Sequence, residues 1–345
     1  MNRTDVGYRN GEYDFIRGVL MFGVTLGHVL TALLYSSDLN PWFYVFIRSY
    51  DMPMFAMISG MFLRSSLSRK KWGDVLVNKI TTILIPAILW ELIFGVIKRD
   101  IRFGTSCWFL YAIFFSSIII ILIDGLLKNK HIQMFTMIMI AIMIHCVPDY
   151  FHVAFLLIPT MVGYYFSEIK LLGSKGSKNM LYAILFMVWI IMLCFWQGKF
   201  SVWYVDGYIL DDMKYSIPIV AYRAAIGIIG SFAIMIILKF IYRNITIWRT
   251  LILRLETIGR MTLEQYILQC FFVTYLGSAL VRKIVERLSY NPFVYNEGFV
   301  VFVIGPIIVC MTLILQQCVV AGINRIPMIG KYFFGFKVSK SSDVS

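Results

Sequence analysis

Seven ionisable side chains stand within or at the edge of long apolar runs: Asp14, Arg17, His28, Arg48, Asp51, Glu91 and Arg223. An ionisable group near the centre of a bilayer costs about 2.5–3.5 kcal/mol on insertion scales, so each needs a reason to be there. Arg17 and His28 are 11 residues apart, which at about 100° per residue leaves them about 20° from one line along a helix and about 16 Å apart on its axis. Asp14 precedes Arg17 by three and shares that side. One face thus carries a carboxylate and a guanidinium near one end and an imidazole deeper in. Such a face must line the protein interior or a wet cavity, since lipid cannot solvate it. A neutral imidazole can take the proton of a hydroxyl attacking a carbonyl. An arginine at the mouth suits a phosphate-bearing ligand, and deeper arginines can bind a second anion or steady an oxyanion. Arg48 and Arg223 each lie about six residues from one end of their runs and Glu91 about eleven from the other. If those faces converge, His28 gains two guanidiniums and a carboxylate. Acyl transfer from a thioester to a hydroxyl fits this set. So does a proton-coupled transporter or flippase of an acyl or sugar-lipid species, with His28 and Glu91 as relay.

The elements that must hold these residues follow from composition. The chain has 345 residues, 59% hydrophobic and only 15% charged, with 28 Phe, 20 Tyr, 8 Trp and 19 Met. Soluble domains average about 45–50% apolar and about 25% charged, and a core of this size cannot hide such a surplus. The reading is an all-α, polytopic membrane protein with about ten transmembrane helices around a central cavity. Their expected positions are 15–35, 42–63, 80–97, 107–127, 132–147, 151–166, 180–195, 217–238, 263–280 and 299–320. The pair 132–166 is also compatible with a helical hairpin or a re-entrant element. One membrane-embedded domain is expected over residues 1–330, with a disordered cytoplasmic tail over 331–345. With the N-terminus in the cytoplasm, 21 of the 32 Lys and Arg fall on that side and 8 on the other. That bias predicts both termini cytoplasmic. The net charge of +13 is therefore mostly topology, and no nucleic-acid partner is expected.

Other chemistry has little foothold. The first run carries Arg17 and His28 and exceeds the length of a signal-peptide core, so it is read as a span. The six cysteines form no metal-ligand spacing, and no metal is expected. A disulfide between Cys107 and Cys146 is compatible with their positions. There is no Walker loop, dinucleotide fingerprint or Gly-x-Ser-x-Gly.

Several motifs are shared with one family. Tyr13-Asp14-Phe15-Ile16-Arg17-Gly18 resembles the opening Leu-Asp-x-Leu-Arg-Gly of the acyltransferase-3 family, and Arg17…His28 matches its Arg-x10-His. Met52-Pro53-Met54-Phe55…Ser59-Gly60-Met61-Phe62 is similar to its Met-Pro-Leu-Phe…Ser-Gly-Phe. Lys79…Pro86, Cys107-Trp108-Phe109-Leu110 and Ile258-Gly259-Arg260-Met261-Thr262-Leu263…Tyr266-Ile267-Leu268-Gln269 follow in family order. The resemblance implies an integral-membrane enzyme that O-acylates sugars and cell-envelope polymers. Its donor would be acetyl-CoA or another short acyl-CoA, used as co-substrate with no permanently bound cofactor. The acceptor would be an envelope glycan or lipid-linked sugar, and the location the bacterial inner membrane. Arg17 and His28 would be the functional pair. Asp14 and Glu91 join them as catalytic candidates, with Arg48, Arg223, Ser59, Arg64 and Trp108 as substrate-binding candidates. Three positions depart from the pattern: Gln269 stands where the family has His, Thr262 where Ser is common, and Lys79 where Arg is frequent.

Overall fold

Helices account for nearly all of the described residues in the computed structural model, and no strand occurs among them. The structure describes residues 10–34, 42–99, 106–145, 151–166, 175–197, 213–245, 247–272, 297–323 and 326–335. In chain order the helices are α1 (Gly11–Leu34), α2 (Trp42–Arg48), α3 (Asp51–Leu67), α4 (Trp72–Lys79), α5 (Ile85–Lys98), α6 (Trp108–Leu126) and α7 (Lys130–His145). There follow α8 (Phe151–Phe166), α9 (Lys175–Cys194), α10 (Met213–Asn244), α11 (Arg249–Arg260), α12 (Thr262–Gln269), α13 (Gly305–Ile323) and α14 (Pro327–Phe334). Five described segments are long and apolar enough to cross a membrane: Gly11–Thr31, Trp72–Lys98, Trp108–Leu126, Ile217–Asn244 and Val300–Ile323. Three shorter apolar helices, Lys130–His145, His152–Phe166 and Met180–Cys194, fall at three other expected positions. Residues 273–280 of the expected run 263–280, and Cys146, lie outside the described residues.

Prolines decide where the long runs deform. The expected single run 42–63 is two helices, broken at Ser49-Tyr50. Pro53 has no N–H to offer the carbonyl of Ser49 four residues back, so the helix restarts one turn before it. Elsewhere the chain absorbs the same defect by widening. Residues Ile80–Leu84 and Val300–Ile304 are π-helical, with the Ile85 N–H reaching back to Ile80 O and that of Gly305 to Val300 O. A proline, Pro86 or Pro306, stands two residues after each.

The chain divides into two compact units, one of Met1–Tyr35 with Phe232–Gln317 and the other of Ser36–Ser231 with Cys318–Ser345. In the first, α1 packs along α11 and α12. In the second, α3 packs on α8, and both meet α6 in a core that includes Leu63, Ile120, Met137, Leu157, Met161 and Tyr164. Without side chains, backbones can touch: a Cβ on Gly60 would lie 2.0 Å from Thr160 O, and one on Gly163 1.9 Å from Met57 O. The expected tail boundary is corrected by α14, which continues to Phe334. That side chain is 2% exposed and stacks with Trp90, whose Nε1 donates to Phe333 O at 2.9 Å. Residues 331–334 are therefore helical, with Phe333 and Phe334 packed against Trp90, because aromatic rings bury more apolar surface docked than free.

Candidate active site

α1 is unbroken from Gly11 to Leu34, so the register that puts Arg17 and His28 on one face holds through the helix. His28 and Arg17 are half-buried, and Asp14 is 3% exposed. Arg17 Nη1 lies 3.6 Å from Asp14 Oδ1, as the i, i+3 spacing requires. A second guanidinium reaches the same carboxylate from α11: Arg260 Nε is 3.6 Å from Asp14 Oδ2, while its Nη2 donates to Glu256 Oε2 at 3.1 Å. Beside it, Glu12 holds Lys239 at 3.4 Å and Arg243 at 2.7 Å. This end of α1 is thus a lattice of alternating charge in which Glu12 and Asp14, both buried, each meet two cations. That arrangement makes burial of the carboxylates tolerable.

Two glycines set how closely α11 approaches. A Cβ on Gly18 would fall 2.0 Å from Leu255 O, and one on Gly259 would fall 1.7 Å from Asp14 O. The glycine after Arg17 and the glycine before Arg260 therefore interlock, and this contact brings Arg260 to Asp14. Further along, α12 packs on α1, and the Thr25 hydroxyl donates to Met21 O (2.8 Å) and to Gln269 Oε1 (3.1 Å). Gln269, at the position of the family's late His, is buried one turn from His28 in α1's frame.

The other candidates belong to the second unit. Arg48 Nη1 donates to Asp51 Oδ2 at 3.0 Å across the α2–α3 break, both side chains being nearly wholly buried. Asp51 Oδ1 accepts the Met52 N–H at 2.7 Å. Arg223 lies within electrostatic reach of Asp51 and Arg48, with its guanidinium 5.3 Å from the ring centres of Phe155 and Trp196. Arg48 and Asp51 thus pair at i, i+3, and Arg223 joins them. Glu91 is 2% exposed, and its oxygens accept the backbone N–H of Ser106 (2.8 Å) and Cys107 (2.9 Å). It anchors the start of α6, where a carboxylate also meets the positive end of the helix dipole. By that contact it positions Trp108, whose ring is 4.6 Å from His152. Arg64 donates to Tyr164 Oη at 2.9 Å and lies 3.8 Å from Asp124, with about a third of its side chain exposed. Ser59 is half-buried beside the Gly60–Thr160 contact.

Sequence reasoning quoted Arg260 within a family motif without giving it a role, and passed over Glu256 and Gln265. The available signal was adjacency, since Arg260 follows the glycine of a family motif and its partner Asp14 opens another. No group of three or more His, Cys, Asp or Glu suited to a metal occurs among the described residues.

The family model described as an acyltransferase domain, that of the acyltransferase-3 family, matches residues 10–315. The nodulation protein NolL of Sinorhizobium fredii (strain NBRC 101917 / NGR234) is 29% identical over 85 residues, 24% of this chain and 23% of that protein. NolL of Mesorhizobium japonicum (strain LMG 29417 / CECT 9101 / MAFF 303099) is 26% identical over 132 residues, 32% of this chain and 35% of that protein. The chain thus spans about a quarter to a third of the curated relatives it matches. No solved structure matches. With the match running through both units and the shared motifs on α1, α3, α4–α5, α6, α11 and α12, the chain belongs to the acyltransferase-3 family of membrane acyltransferases.

Proposed function

We propose that the protein is an O-acyltransferase, most simply an O-acetyltransferase, of the bacterial inner membrane with both termini in the cytoplasm. It moves an acyl group from cytoplasmic acyl-CoA to a hydroxyl of a cell-surface polysaccharide or of its lipid-linked precursor. The observation that carries this reading is the α1 face, with Arg17 held at its entrance by Asp14 and His28 about 16 Å further along the same helix. Arg17 draws the CoA phosphates to the mouth, and Arg64, in the second unit, is a separate substrate-binding candidate. His28 accepts the proton of the acceptor hydroxyl as its oxygen bonds to the thioester carbonyl. The tetrahedral intermediate then expels CoA as its C–S bond breaks, and the thiolate takes up the proton from the imidazolium. Arg48, Arg223, Ser59 and Trp108 are the acceptor-binding candidates of the second unit, and Glu91 fixes Trp108 there.

The test is His28→Ala in the producing cell, with the O-acetyl content of the envelope glycan as readout. The expected result is loss of the modification at wild-type protein level. Unchanged O-acetylation by a folded His28→Ala protein would sink the mechanism. Gradient-driven uptake into liposomes without consumption of acyl-CoA would make the protein a transporter instead.

A further inference from the structure

Gln265 is wholly buried (0% exposed) on α12, and neither its Oε1 nor its Nε2 has a hydrogen-bond partner among the described residues. Native proteins pair nearly all buried amides, so one left over calls for an explanation. Its place supplies one. Gln269, one turn further on, receives the Thr25 hydroxyl, and residues four apart share a helix face, so Gln265 looks toward α1 as well. α12 starts three residues after Gly259, which meets Asp14, and ends at Gln269, which meets Thr25, so it ascends in the direction of α1. Gln265 therefore faces the part of α1 near Met21, between Arg17 and His28. Arg17, Met21, Thr25 and His28 form one stripe on α1, their azimuths spread over about 80°.

A donor whose phosphates rest at Arg17 and whose thioester reaches His28 must lay its connecting arm along this stripe. In an acyl-CoA that arm is pantetheine, which carries two amides between phosphate and sulfur. A primary carboxamide offers one acceptor and two donors, the complement of a secondary amide. We infer that Gln265 is a specificity-determining residue that hydrogen-bonds an amide of the donor's pantetheine arm. This rests on the acyl-CoA reading above. A side chain that is orphaned in the empty protein and satisfied in the complex gives discrimination in both directions, because a donor without the amide leaves the carboxamide buried and unmet.

The experiment uses the full-length protein in detergent or nanodiscs. Acetyl-CoA is compared with two analogues of equal length, each with one pantetheine amide replaced by methylene groups. Wild type is expected to prefer acetyl-CoA over one of the analogues by about tenfold in kcat/KM. Gln265→Leu should raise KM for acetyl-CoA by a similar factor and erase the preference. Its ligand-free Tm should equal or exceed that of wild type, since the change removes an unmet polar group. Retained preference in Gln265→Leu overturns the inference while leaving the acyl-CoA reading intact. A lowered Tm also overturns it, because it would show that Gln265 serves the fold. Failure of wild type to consume acetyl-CoA refutes the donor itself and the inference with it.

Discussion

The contact between α1 and α11 gives the sharpest test of how the site is built, and Gly259→Ala is the perturbation. The added methyl would lie 1.7 Å from Asp14 O and 2.9 Å from Gly18 N, where real Cβ contacts essentially never fall under 3.0 Å. Both neighbours are backbone, so no side chain can swing aside, and the helices must part by about 1.3 Å. Overpacking of this kind costs about 1–3 kcal/mol, and a backbone-to-backbone clash belongs at the upper end. The displacement also stretches the Arg260–Asp14 approach from 3.6 Å to about 5 Å. At an effective dielectric near 20 that removes about 1 kcal/mol of attraction, and less in practice because Arg260 is 40% exposed. Misplacement by about 1 Å within a reacting constellation costs on the order of a hundredfold in rate. Gly259→Ala should therefore lower Tm in detergent and cut acyl transfer by about two orders of magnitude. Gly125→Ala, where an added Cβ meets nothing within 4 Å, is the control. It should be neutral or stabilising by up to about 1 kcal/mol through helix propensity. Wild-type Tm and rate in Gly259→Ala would refute the claim that the glycine pair sets the site.

Two further predictions concern the second unit. Glu91→Gln removes the charge that accepts the Ser106 and Cys107 N–H groups, and loss of a helix-start anchor of this kind costs about 0.5–2 kcal/mol. The reduced Tm should come with slower transfer and an unchanged pH profile, whereas a lost acidic limb would make Glu91 a proton carrier. Asp51→Asn leaves Arg48 buried beside a neutral amide and should cost about 3–5 kcal/mol, while the double change Arg48→Met with Asp51→Met should cost far less. Equal losses for the single and double variants, read by thermal unfolding, would show that the pair does not act as a unit.

How far the sequence exposed this arrangement depended on the range of the interaction. The α1 face was legible because helical periodicity is local: Asp14, Arg17 and His28 share one unbroken helix, and spacing alone sets their azimuths. The Arg48–Asp51 pair was legible for the same reason, although the break between them was not foreseen. Its cause was in plain view, since Pro53 cannot donate to Ser49. Apolar runs, however, are counted by composition, which is blind to a missing N–H. Glu91 was legible only in part. Its depth in an apolar run marks it as costly, but the two N–H groups that repay that cost lie 15 and 16 residues later.

The partners of α1 lay beyond any local pattern. Gly18 and Gly259 stand in motifs about 240 residues apart, and each in isolation looks like an ordinary small residue in a helix. Only the fold shows that one glycine admits the backbone bearing the other, and that the arginine after the second then meets the carboxylate before the first. Packing and electrostatics are one feature here: with a Cβ at either glycine, Arg260 could not approach Asp14 as it does. The glutamines escaped for a different reason. A neutral amide in an apolar run does not carry the desolvation penalty that singles out a buried charge, so Gln265 and Gln269 pass as tolerable polar residues. Burial turns that tolerance into a constraint, because a carboxamide with no water and no partner gains from whatever amide or hydroxyl reaches it. A long substrate can thus be held by charge at one end and by neutral hydrogen bonds along its length, and only the charged end shows in a hydropathy pattern.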